Sequence, residues 1–137
     1  MNHVLIRNEQ VEVNNLPKNI ELNADVLSIP KNQVITETIK VAIFEKDTKP
    51  FKVSVGENTQ VKLILEINDQ SNEPRDYNID FETKDGANVK FLLISNIQSK
   101  EAKLHLAGKI QKDSNVEFIG GFISNVIEAK LYLDLVG

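Results

Sequence analysis

His3, His105 and the 20 Asp+Glu residues are the side chains of this 137-residue chain with the types needed for metal ligation or acid–base catalysis. His105 stands in AKLHLAG between Leu104 and Leu106. Strand alternation that turns those leucines inward turns His105 outward with Lys103 and Ala107. A ligand or proton-shuttle role needs a facing His or carboxylate, and the neighbouring sequence supplies none. His3 falls in an end segment expected to be loosely held. Asp80 and Glu82 share the outer face of one strand and are expected to neighbour Lys103 and His105, an arrangement that cross-strand charge pairing accounts for. The two arginines, Arg7 and Arg75, read as loop residues, so no carboxylate-and-base cluster can be assembled on an outer sheet. Gly120 and Gly121 sit in neither a GxGxxG nor a GxxxxGKS/T context, and no GxSxG elbow occurs. The sequence has no cysteine, which removes disulfides, thiolate zinc sites, thiol nucleophiles and Cys ligation of an iron–sulfur cluster by this chain. No residue is assigned as catalytic, cofactor-binding or metal-ligating, and the expectation is a non-enzyme.

The charge balance excludes further classes. Sixteen Lys+Arg against 20 Asp+Glu, mixed along the chain, give net charge −4 and no basic footprint for nucleic acid or an anionic membrane. The start, MNHVLIRNEQVEV, meets charge and Asn too early for a signal-peptide core. No apolar run approaches the roughly 20 residues of a membrane helix. A cytoplasmic protein with one domain over residues 1–137 is expected.

The elements that must position these residues are strands. Two-residue alternation runs through Ile39, Val41 and Ile43; Val61, Leu63, Leu65 and Ile67; Ile79 and Phe81; Leu104 and Leu106; and Leu131, Leu133 and Leu135. Segments such as VGEN, NDQSNEPRD, KDGAN and QKDSN separate them with turn residues. A repeat overlies the alternation: NTQVKLIL, GANVKFLL and DSNVEFIG place valines at Val61, Val89 and Val116, spacings of 28 and 27 residues. Val34 extends the beat upstream, 27 residues before Val61. One such unit cannot bury its own inner face, so neighbouring units must stack. The expected fold is an all-β parallel solenoid with about two strands per 27–28-residue coil. It places Val61, Val89 and Val116 in one inner column and Phe81, Leu106 and Leu133 in another. The alternative is an antiparallel β-sandwich, in which Val61 to Asn68 would pair as a hairpin with Tyr77 to Glu82. Leu92 and Ile94 are apolar opposite Phe91 and Leu93, so that strand is expected to be covered on both sides or to join an interface.

FKVSVGENTQVKLILEIND, YNIDFETKDGANVKFLLISN and GKIQKDSNVEFIGGFISNVIEAKLYLDLVG together resemble the core of the SufB/SufD proteins of iron–sulfur cluster assembly. Val55, Gly56, Glu57, Asn58, Val61 and Glu66 fit a first family motif. Gly86, Ala87, Val89 and Phe91 fit a second; Gly120, Gly121, Ser124, Leu131, Leu133 and Gly137 fit a third. The match runs from about Phe51 to the end and covers residues 1–50 only loosely. The resemblance implies a right-handed parallel β-helix and an accessory or scaffold role beside an ABC-type ATPase. Departures are Asn125 where the family carries arginine, and the absence of the later coils and C-terminal region with the family's Cys, His and Glu residues. The function expected is therefore a SufD-like scaffold acting through protein contacts without cluster ligands of its own. The alternative is a β-helical interaction module outside that pathway. A homodimer or a SufB/SufD-like partner is expected on the final edge strand, at Lys130, Tyr132 and Asp134, with a Suf-type ATPase as a further partner.

Overall fold

Ile, Val, Leu and Phe at alternate positions favour extended chain with one face buried, and Asn, Asp and Gly punctuate it with turns. The structure, a computed structural model, describes residues 2–7, 10–23, 25–44, 50–99, 102–122 and 126–135, and of residues 13, 120–122 and 126–135 the backbone. Its elements are β1 (Asn2–Arg7), β2 (Gln10–Asn15), β3 (Glu21–Asn23), β4 (Val26–Ile29), β5 (Ile39–Phe44), β6 (Phe51–Val55), β7 (Gln60–Asp69), β8 (Arg75–Thr83), β9 (Asn88–Ile97), β10 (Ala102–Ile110), β11 (Asn115–Phe122) and β12 (Val126–Leu135). No helix occurs among the described residues, so none is long and apolar enough to cross a membrane.

The strands form two six-stranded sheets, ordered β11-β9-β7-β5-β1-β2 and β12-β10-β8-β6-β4-β3. From β5 onward the chain changes sheet with every strand; β5 lies parallel on β1, and from β6 each strand lies parallel on the one two elements earlier. Among the described residues only β2 on β1 and β3 on β4 are antiparallel. β7 pairs with β5 and β9, and β8 with β6 and β10, so the hairpin a sandwich requires is not formed. The fold is a parallel β-solenoid.

The two sheets face each other across one core. Val61, Val89 and Val116 are in register, as the repeat predicts, with Val61 and Val89 fully buried. Leu63, Phe91 and Phe118 form the next inner column. The Phe91 ring stacks on Phe118 at 5.7 Å and tilts against Phe81 of the opposite sheet at 5.4 Å. The second sheet departs from the expected register by two residues. Leu106 stands between Ile79 and Leu131, while Phe81 aligns with Gly108 and Leu133. The upstream beat is also shifted, since Val34 bridges to Gln60 instead of Val61 and is 69% exposed. Strand β5 follows a different spacing, with Ile39 opposite Leu63.

The corners entering the first sheet make a second ladder. Asn32, Asn58, Gly86 and Asp113 all have φ between 53° and 72°. Asn and Asp are the non-Gly residues that tolerate this region best. Successive turns are tied by backbone bonds, Asn32 N to Glu57 O at 2.8 Å, Asn58 N to Asp85 O at 3.0 Å and Gly86 N to Lys112 O at 3.3 Å. The Thr59 hydroxyl donates to Pro30 O at 2.6 Å, and the Ser114 hydroxyl repeats the bond two corners later, donating to Lys84 O at 2.7 Å, with Ala87 at the corner between. Gly56 is required for a different reason: a Cβ there would lie 2.5 Å from the backbone nitrogen of Lys31 in the preceding coil. At Gly86 a Cβ would meet both the positive φ and the side-chain oxygen of Asn58. Gly86→Ala is expected to destabilise the protein by about 2 kcal/mol in urea titrations, part of which Asn58→Gly in the same chain should restore. A cost below a few tenths of a kcal/mol would contradict this corner geometry.

Candidate interaction face

Alternation gives each sheet an outer face, and the two faces differ in character. On the second sheet, opposite charges stand across neighbouring strands. Asp80 is in register with Lys52, and Asp76 with Lys103. Glu82 accepts from Lys84 at 2.8 Å and from Lys52 at 3.3 Å, which together hold its carboxyl below the usual range against partial burial. His105 is opposite Asn78 and has Nε2 3.6 Å from Asp76. The register therefore corrects the expected neighbours: Asp80 faces Ala107 and Glu82 faces Lys109, while Lys103 and His105 face Asp76 and Asn78. Among the described residues no three His, Asp or Glu side chains gather as a metal site.

On the first sheet the outer face is aliphatic at its centre. Ile64, Leu92 and Ile119 are in register across β7, β9 and β11, and Ile119 is 54% exposed. Ile94 stands beside them on β9, opposite Glu66. The Glu66 carboxylate is paired with Lys40 at 2.8 Å, and the hydrogen bond from Lys40 holds it below the ordinary carboxylate range. On the other side of the aliphatic row, Lys62 and Lys90 are neighbours, and Lys90 reaches Glu117 at 3.9 Å. Between the lysine and aliphatic rows lies an open groove of about 170 Å³ lined by Thr38, Lys62, Ile64, Lys90, Leu92 and Ile119. A hollow of about 420 Å³ lies farther along, over His3, Leu5, Lys40 and Phe44. Arg7 lies 4.8 Å over the Phe44 ring.

No family model, curated protein or solved structure matches the chain.

The positions expected to bind a partner, Lys130, Tyr132 and Asp134, fall in β12, the edge of the second sheet, with backbones in register with His105, Ala107 and Lys109. Their side chains are outside the described residues, as are Ser124, Asn125 and Gly137 entirely. Gly120 and Gly121 lie in β11 opposite Leu93 and Ile94. Most of the described motif residues serve the solenoid itself. Gly56, Asn58 and Gly86 shape the corners, while Val55, Val61, Ala87, Val89 and Phe91 are buried.

One polar constellation escaped the sequence reading. Asp69, fully buried at the end of β7, accepts from Ser71 N at 2.9 Å on one oxygen and from Arg75 Nε at 2.9 Å and the Tyr77 hydroxyl on the other. Arg75 opens β8 instead of lying in a loop, and its Nη1 also meets Glu73 at 3.0 Å. Burial pushes the Asp69 carboxyl up, but the hydrogen bonds from Tyr77, Ser71 and Arg75 outweigh it and hold the group below its usual range. The available signal was parity: Arg75 shares the inward phase of Tyr77, Ile79 and Phe81, and an inward guanidinium requires a buried carboxylate. This cluster joins two strands at a corner. Its carboxylate is saturated with protein donors, which suits a brace.

Proposed function

We propose that the protein is a scaffold of the SufD-like kind, serving iron–sulfur cluster assembly through protein–protein contacts. The observation that carries the contact role is the contrast between the two outer faces: one is laddered with opposite charges that keep it solvated, the other presents Ile64, Leu92, Ile94 and Ile119. Large apolar side chains gathered on an otherwise polar surface mark contact sites. The pathway reading rests on the motif resemblance, supported by VGEN and KDGA falling at equivalent corners of successive coils. A chain without cysteine would leave cluster ligation to its partners. A second copy or a SufB/SufD-like chain at the β12 edge, beside Lys130, Tyr132 and Asp134, is the accompanying proposal for assembly, since an edge strand offers free backbone groups.

Co-purification of the tagged full chain with a Suf-type ATPase tests the reading. Retention is expected, and Leu92→Glu with Ile119→Glu should lower it about tenfold or more, the cost of burying an unpaired carboxylate at a contact. Far-UV circular dichroism of the variant should be unchanged. Failure of the wild-type chain to retain the ATPase or its complex would remove the pathway assignment. The alternative, an interaction module outside this pathway, would then stand on the face alone.

A further inference from the structure

We infer that the groove on the first sheet receives an acidic amphipathic helix of a partner protein, laid along the solenoid axis across β7, β9 and β11. The inference rests on the contact role proposed for this face and specifies its occupant. Two observations set the chemistry. The first is the spacing of the aliphatic row. Ile64, Leu92 and Ile119 occupy successive parallel strands, so they recur about every 4.8 Å. A helix lying across the strands presents side chains at i, i+4 and i+7 about every 5.4 Å, close enough for three successive contacts.

The second observation is charge. Lys62 and Lys90 stand side by side on the rim, although like charges opposite one another on a sheet repel. Lys90 has only a long pairing with Glu117, and Lys62 has no ion-pair partner among the described residues. The opposite rim is neutralised, because Lys40 is spent on Glu66. A chain of net charge −4 thus sets two adjacent lysines beside an aliphatic row that is half-buried at Ile64 and Leu92 and exposed at Ile119. Carboxylates flanking an apolar stripe would answer both features. A second copy of this chain does not fit as well. Its described residues contain no helix, and its own copy of this face would bring the same lysines to the contact.

The test uses the full chain and a labelled 18-residue helical peptide with Leu along one stripe and Glu on both flanks, read by fluorescence anisotropy. Saturable binding with Kd below about 100 μM is expected, weakened about tenfold or more by Lys62→Glu with Lys90→Glu and by Ile119→Ser. The same peptide with Lys in place of Glu should bind at least about tenfold more weakly, and salt should weaken the acidic peptide. Equal binding of the two peptides, or none of the acidic one up to about 1 mM, overturns the inference. Sedimentation showing a dimer that Ile119→Ser dissociates would also overturn it, in favour of a second copy. Loss of peptide binding with ATPase retention still sensitive to Leu92→Glu and Ile119→Glu would reject the helix and leave the contact role in place.

Discussion

Asp69→Ala is expected to destabilise the protein by about 3–5 kcal/mol, the range for removing one partner of a buried ion pair. The substitution strands the Arg75 Nε and the Tyr77 hydroxyl, both of which donate to the same carboxylate oxygen. It also removes the acceptor for Ser71 N, which shapes the turn that follows. Tyr77→Phe deletes one donor and leaves the ion pair, so it should cost only about 1 kcal/mol. Urea midpoints rank the two. Equal effects would show that the carboxylate is not the centre of the brace. The same group makes stability depend on pH in a defined direction. Its folded-state pKa lies below the unfolded value near 3.9, so its stabilisation is fully present above that value and is lost as pH falls through the folded pKa. Glu66 and Glu82 are depressed as well and act with the same sign. Their contribution should leave thermal melting flat from about pH 7 to 5 and lower it below about pH 4. Asp69→Asn, less stable throughout, should show a shallower acid decline.

Phe91→Ala is the second large expectation, at about 3–5 kcal/mol for a buried phenylalanine whose neighbours cannot close the space. Phe91 is 2% exposed, contacts the rings of both Phe81 and Phe118, and stands in the column between Leu63 and Phe118. Filling its cavity would require both sheets to move. Phe118, only partly buried in β11 at the edge of its sheet, should tolerate truncation better, at about half that cost. If Phe118→Ala proves as costly as Phe91→Ala in matched calorimetry, the order of the stack is wrong.

What the sequence disclosed and what it concealed both follow from strand geometry. The column Val61, Val89, Val116 was readable because the same corner precedes each valine, fixing the phase of the strand that follows. The strands of the second sheet follow unlike sequences, QSNEP before β8 and QSKE before β10, so no common starting mark exists in the sequence. Alternation could not supply one. A one-residue slip turns every side chain over and is visible, whereas a slip of two leaves each residue on its own face. That is why Leu106 was expected beside Phe81 and lies beside Ile79, and why Lys103 pairs with Asp76. Val34 shows the one-residue kind: the upstream beat meets Gln60 instead of Val61, and Val34 stands at the surface. The interaction face was partly legible in Leu92 and Ile94, whose apolar character on an outward phase had no use inside the coil. Ile64 and Ile119 could join them only once the register was known. Asp69 was hidden by its setting, a run of turn residues that reads as solvated chain.

Since each coil rests on its neighbours alone, the molecule behaves as a short one-dimensional lattice. Loss of a contact in the middle divides the lattice, while loss at an end only shortens it. Amide exchange should accordingly form a gradient along the axis, slowest in β7 and β8, which are covered by a strand on either side and lie well inside their sheets, and faster toward β11 and β12. The aliphatic row crosses that gradient, from Ile64 near its stiff centre to Ile119 at its fraying margin. A ligand bound along the row would clamp the outermost strand to the middle of the stack, so that occupancy would be read out as slower opening of the end coil.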